Sequence, residues 1–224
     1  MKYLNTLLIV FLAATQIVKA ENADSDKKES KVRISVTGEL NNADAWKVDA
    51  GCHWFPIQYV GIGGSLGMWK QYNSDYAPEG QFWGIGEDYR NASNLFIQPS
   101  VILLSPSIFK KADDEIDIRI FGELGAMVNV PYEKVYVSLY PDEYNVPATY
   151  EKVSSNNGNY VFFDGKIGLS VRFDKVSITA GYAYSTLDVY AQRRKMKYDN
   201  QPFAPFYPKR KATQGAFLSL AVNL

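Results

Sequence analysis

Between Lys31 and Leu224, apolar residues keep returning at every second position, with polar or small residues between them. A two-residue period is the repeat of a β-strand whose faces meet different surroundings. The stretch KVRISVTGEL (31–40) sets Val32, Ile34, Val36 and Leu40 against Arg33, Ser35, Thr37 and Glu39. AWKVDAGCHWF (45–55) sets Trp46, Val48, Ala50, Cys52 and Trp54 against Lys47, Asp49 and His53. The design recurs at 59–69, 94–104, 114–130, 160–173, 176–187 and, as GAFLSLAVNL, at 215–224. Eight such segments predict an all-β chain.

The connections divide into two kinds. Residues 54–58 and 173–175 read as tight turns and SPSIFKKADD as a moderate one, all at one end of the strands. At the other end lie a short turn at NNAD and long segments near 73–92, 131–159 and 190–213. Short turns on one side and long loops on the other are the asymmetry of an up-and-down antiparallel barrel in a membrane. With eight strands, both ends of the barrel segment fall on the short-turn, periplasmic side.

Alternation alone is compatible with a soluble, lipocalin-like secreted barrel whose apolar face points inward. Two features favour lipid outside. The polar face carries Arg33, Glu39, Lys47, Asp49, Asp117, Arg119, Glu123, Asp164, Lys166 and Arg172, but also many Gly, Ala and Ser residues, which relieve crowding in a narrow lumen. The second feature is a length. Trp46 and Trp54 share the apolar face eight residues apart, roughly 20 Å along the membrane normal at about 3.3 Å per residue and a tilt near 40°. Phe163 and Phe173 span about 25 Å by the same arithmetic, so the four side chains fit aromatic girdles bracketing an apolar band.

On this pattern, and on the alternating Leu218, Leu220, Val222 and Leu224 of the last strand, the chain resembles the small outer-membrane β-barrels of Gram-negative bacteria, of the OmpA and OmpX type. The resemblance covers residues 31–224. It implies that the last strand is a recognition signal for the barrel assembly machinery, although such signals ideally end in Phe and this chain ends in Leu224. It also gives that strand a second task, pairing with the first so that no sheet edge is left open.

Ahead of the barrel, Lys2, an apolar core from Leu7 to Ala14 and Val18-Lys19-Ala20 read as a cleaved signal peptide, residues 1–20. Residues 21–30 read as a flexible periplasmic leader. No cysteine follows the expected cleavage point closely enough for a lipid anchor, and Cys52, the single cysteine, excludes an intramolecular disulfide. A formal net charge of zero gives no reason to expect nucleic acid as a partner. The aromatic content of 14% suits a sheet protein or an interfacial one.

Candidate chemistry is sparse. His53 is the single histidine, so a Ser-His-Asp arrangement would have to use it. Outer-membrane lipid A deacylases and palmitoyltransferases are similar to this chain in size, but they keep a catalytic histidine near the outer leaflet, and His53 falls near the periplasmic turn. GIGGSLG (61–67) lacks the following helix of a phosphate loop and reads as small luminal residues. The expectation is a non-enzymatic barrel without a cofactor, serving envelope structure or surface-loop binding, with a lipid-modifying enzyme as the alternative. An eight-stranded interior is just wide enough for side chains, so the luminal charges are expected to form a salt-bridged plug.

Two loops suggest partners. Residues 131–159 carry Tyr132, Tyr136, Tyr140, Tyr144 and Tyr150, which suits presentation to an extracellular ligand, and KVYVSLY within them reads as an extra strand. The final loop concentrates Arg193, Arg194, Lys195 and Lys197 on its rising side and Lys209, Arg210 and Lys211 on its descending side, with Phe203, Phe206 and Tyr207 between. These cations are candidates for gripping lipopolysaccharide phosphates.

Overall fold

The structure, a computed structural model, describes residues 31–110, 116–140 and 149–224. The expected signal peptide and leader lie outside the described residues. The strands in chain order are β1 (Val32–Asn41), β2 (Ala45–Ile57), β3 (Val60–Gln71), β4 (Trp83–Ile85), β5 (Ser93–Leu104), β6 (Phe109–Lys110) and β7 (Ile116–Asn129). They continue with β8 (Glu133–Leu139), β9 (Thr149–Ser155), β10 (Val161–Phe173), β11 (Val176–Ser185), β12 (Lys197–Tyr198), β13 (Gln201–Pro202) and β14 (Thr213–Asn223). A single-turn helix, α1, spans Glu87–Arg90.

Eight long strands pair antiparallel in the order β1-β2-β3-β5-β7-β10-β11-β14, and β14 returns to β1, so the sheet closes. In the closing seam Ile34 lies opposite Val222, Val36 opposite Leu220 and Leu40 opposite Ala216. Closure gives the backbone groups of both seam strands ladder partners, which a lone last strand would lack.

The alternation sorts the side chains cleanly. Ile34, Val36, Leu40, Ile62, Leu66, Leu95, Ile97, Ile167, Leu169, Leu218 and Leu220 are all exposed on the outward face. Arg33, Glu39, Lys47, Asp49, Asp117, Glu123, Asp164 and Lys166 are buried inside. The molecule is therefore an all-β barrel with its apolar face out and its charges in, the reverse of a lipocalin-like arrangement. Trp54, Phe163 and Phe173 are exposed on the outward face and Trp46 is half-buried there, with Trp46 and Phe163 towards the long-loop end and Trp54 and Phe173 towards the other.

Strand ends differ from the sequence reading in places. The segment 54–58 is not all turn: β2 continues to Ile57 past a register shift between Trp54 and Ile57, and the turn is Gln58-Tyr59. At the matching β10–β11 turn, Asp174 adopts a left-handed φ of 51°, a conformation Asp tolerates because its short side chain adds little strain there.

Above the barrel, the KVYVSLY segment forms strand β8, and the described parts of the long segments build a folded cap with its own core, in which Trp83, Ile85, Val135, Val137, Leu187, Val189, Tyr190, Met196, Phe203 and Tyr207 are buried. Strands β4, β8 and β9 form a three-stranded antiparallel sheet in it, so residues 131–159 contribute two strands. The barrel rim joins this core through Ala45, Trp69, Phe96, Met127 and Phe162.

Candidate functional site: the sealed interior and the cap

Inward positions of neighbouring strands can hold long polar side chains only where others are small. Gly67 shows the constraint: a Cβ there would lie 2.5 Å from the Phe96 ring and 2.8 Å from the Asp49 side chain. Space conceded by such residues is filled by charge. Lys47 Nζ lies 2.6 Å from both Glu39 Oε2 and Asp164 Oδ2. Lys166 Nζ lies 3.3 Å from Glu123 Oε2 and 3.6 Å from Asp49 Oδ2. Gln98 bridges, donating to Asp164 Oδ1 at 3.2 Å and Glu123 Oε1 at 3.5 Å. Two lysines thus hold four carboxylates, a stack that fills the bore.

Nearer the short-turn end, Asp117 Oδ2 receives Arg119 Nε at 2.8 Å and Arg172 Nη2 at 3.0 Å. Arg33 donates to Thr179 Oγ1 at 3.1 Å and lies 5.4 Å from the Phe121 ring centroid. Phe121 belongs to an apolar interior cluster with Phe55, Ile102, Ala183 and Phe217. All ten charged residues of the expected plug therefore occupy the interior, with Arg172 the most accessible of them. Lys166 meets Glu123 of the adjacent strand, whereas Asp164 meets Lys47 of β2 across the bore.

His53 is buried, and its Nε2 meets Ser100 Oγ at 2.8 Å. The ring crosses Gly63, which lies opposite both His53 and Ser100 in the strand registers; a Cβ at Gly63 would come within 2.7 Å of the His53 Cα. The pair has two members of a Ser-His-acid relay, but no carboxylate among the described residues hydrogen-bonds Nδ1, the position from which an acid would orient the ring. Among the described residues no group of three or more His, Cys, Asp or Glu side chains forms a metal site.

The cap is organised by Arg193, which corrects the sequence reading of that residue. Arg193 is buried, and its Nε donates to Glu133 Oε1 at 2.5 Å while Nη1 and Nη2 donate to the carbonyls of Arg90 at 2.6 Å and Asn91 at 3.2 Å. One guanidinium so ties β8, α1 and the last loop together, and it cannot reach lipid. Burial opposes its charge, but Glu133 and Tyr207 outweigh burial and hold its pKa above the usual arginine value. Tyr207, with its ring stacked on Tyr190 at 4.7 Å, is pushed up to about 12 by burial, against the pull of Arg193. Tyr190 OH receives Gln71 Nε2 at 3.0 Å, and the same nitrogen donates to the Ala43 carbonyl at 3.1 Å, which clamps the cap to the rim.

The remaining cations of the loop separate. Arg194 is half-buried, paired with Asp188 and donating to the Pro208 carbonyl at 2.8 Å. Lys197 is exposed on the small β12–β13 hairpin. Lys195, Lys209 and Lys211 are exposed and Arg210 is half-buried, donating to the Asn42 carbonyl at 2.8 Å. Phe203 and Tyr207 are buried in the cap core rather than spacing two basic clusters, while Phe206 is half-buried. Of the loop tyrosines, Tyr132 and Tyr150 are exposed, Tyr136 and Tyr140 are half-buried, and Tyr144 lies outside the described residues. Glu133, Gln71 and Tyr190 carried no local signal in the sequence, because Glu133 meets Arg193 60 positions away and Gln71 meets Tyr190 119 positions away.

No protein-family model matches the chain, and no curated protein matches it by sequence. Solved structures similar to it include the N-terminal β-barrel domain of Pseudomonas aeruginosa OprF, at 10% identity over 88% of this chain and 98% of that one, with a TM-score of 0.43. Neisserial surface protein A aligns at 10% identity over 87% and 95%, with a TM-score of 0.40. The outer-membrane enzyme PagL aligns at 10% identity over 86% and 99%, with a TM-score of 0.36.

Proposed function

We propose that this chain is an outer-membrane β-barrel of a Gram-negative envelope that is closed to solutes, performs no chemistry, and acts through its folded cap in envelope structure or surface binding. The observation that carries this reading is the combination of a continuous exposed apolar band with a bore filled by paired charges. Soluble monomers rarely leave an apolar surface of that extent in water, whereas lipid is its natural solvent. Ion pairs stacked across an eight-stranded bore leave no aqueous path.

In this reading Trp46, Trp54, Phe163 and Phe173 are the girdles at the two interfaces, β14 is read by the barrel assembly machinery, and exposed Tyr132 and Tyr150 are available to an extracellular ligand. Lipopolysaccharide is contacted by Lys195, Lys197, Lys209, Arg210 and Lys211, without Arg193, which is buried, and without Arg194, which Asp188 engages. His53 and Ser100 are interior packing partners.

Fractionation with unheated gel electrophoresis tests the reading. The mature chain is expected in the outer-membrane fraction and to migrate faster unheated than boiled. Recovery as a soluble periplasmic protein would overturn it. Incubating the purified barrel with lipid A should leave the lipid's mass unchanged; loss or gain of an acyl chain would establish the enzymatic alternative.

A further inference from the structure

Lys195, Lys209, Arg210 and Lys211 line one cleft of about 460 Å³ over the outer ends of β10 and β11. The carboxylate in its lining, Asp188, is already engaged by Arg194. Four cations are therefore gathered in a concave site without an acid of their own among the described residues lining it. Arg210 is committed through one Nη, while its Nε is buried without a hydrogen-bond partner.

The cleft sits at a defined height. Its lining residue Thr186 accepts the Phe163 backbone N–H at 2.8 Å, and Tyr160, Phe163 and Tyr184, each within two positions of a lining residue in sequence, are exposed. Exposed aromatics gather at the level of lipid headgroups. Arg210 also connects the cleft to a second feature. Its acceptor, Asn42, heads the β1–β2 turn, and below that turn an apolar groove of about 460 Å³ runs over Gly38 and Ala216 between Leu40, Trp46, Val48 and Leu218. Gly38 has no packing reason to be glycine: a Cβ there would meet nothing within 4 Å. Glycine inside a strand weakens it and often marks close approach by another molecule.

We propose that cleft and groove form one site for a phosphorylated, acylated glycolipid of the outer leaflet, with phosphate on Lys209, Arg210 and Lys211 and an acyl chain over Gly38. The inference rests on the outer-membrane placement argued above. Charge selects the glycolipid over a phospholipid: a phosphodiester headgroup offers one negative charge, whereas a phosphate monoester carries about −1.5 to −2 and three acceptor oxygens, closer to what clustered cations require.

Native mass spectrometry of the detergent-purified full chain, titrated with bisphosphorylated lipid A, lipid A lacking its phosphates, and phosphatidylglycerol, tests the site. The bisphosphorylated form should bind best. The triple change Lys209→Glu, Arg210→Glu, Lys211→Glu should weaken it about tenfold or more, as expected for losing charge-assisted bonds, with a larger effect at low salt. Gly38→Leu should weaken acylated ligand severalfold while unheated gel migration stays that of the parent. Because Arg210 also holds the Asn42 carbonyl, Lys209→Gln with Lys211→Gln serves as the second variant and should lose affinity with the fold intact. Equal binding by parent and both charge variants, or phosphatidylglycerol binding as tightly as bisphosphorylated lipid A, would overturn the proposal. Unaltered binding by Gly38→Leu would overturn the acyl half. If the parent itself lacked heat-dependent migration, the membrane placement would be what failed.

Discussion

Replacing Lys47 by Met is the most informative single change in the interior. The ammonium lies 2.6 Å from Glu39 and 2.6 Å from Asp164, and all three side chains are at most 3% exposed. Met matches the length and apolar stem of Lys, so little is lost in packing, but two buried carboxylates are left without their shared cation. Removing one partner of a buried pair costs about 3–5 kcal/mol, because the surviving charge keeps its desolvation penalty. Gln98 still donates to Asp164, which argues for the lower half of that range. With a urea dependence of about 2 kcal/mol per molar, the unfolding midpoint in lipid vesicles should fall by roughly 1.5–2 M. Adding Glu39→Gln and Asp164→Asn to Lys47→Met should recover most of the loss, since neutral groups need no counter-charge. Tryptophan fluorescence in a urea series reads both quantities. A parental midpoint for Lys47→Met, or a triple variant worse than the single one, would refute the pairing argument.

The lumen should not conduct like a porin, and large, stable, solute-sized steps in planar-bilayer recordings would contradict the filled bore. Arg119→Leu should lower the unfolding midpoint by the equivalent of about 1–3 kcal/mol, less than Lys47→Met, because Asp117 retains Arg172; an unchanged midpoint would remove Arg119 from the network. Gly67→Val should block formation of the fast-migrating barrel, since even its Cβ falls 2.5 Å from the Val48 carbonyl oxygen; normal migration would show that the interior yields more than argued. For the cap, a phenol held near 12 when folded and near 10 when unfolded binds more protons in the folded state, so its contribution is intact below pH 10 and lost as pH rises towards 12. Near-ultraviolet circular dichroism should show the cap loosening in that window, and Tyr207→Phe should flatten the dependence.

Eight strands and their facing were legible because period-2 alternation is local: each residue's side follows from its neighbours. Partners were not. Lys166 and Glu123 are opposite one another on adjacent strands, a relation that strand order nearly supplies, whereas Lys47 and Asp164 meet across the bore at a separation of 117 positions. The cap was largely hidden for the same reason. β8 alternates and could be seen as a strand, but β4 has three residues and β9 is mostly exposed along its length, so neither leaves a clear pattern. Arg193 looked like one more cation in a basic run, and nothing near it in sequence announces that Glu133 will bury it.

The central claim is that the outward apolar face lies against lipid while the interior is sealed. Variants retaining one of the four tryptophans separate the faces: Trp54 is 54% exposed on the outward surface and Trp69 is 2% exposed within the rim, donating to Asn129 Oδ1 at 3.2 Å. In vesicles of brominated phospholipid, fluorescence from the Trp54 variant should be strongly quenched and resist aqueous iodide, while the Trp69 variant should resist both. Quenching of Trp54 by iodide with no response to brominated lipid would place the apolar band in water and contradict the account.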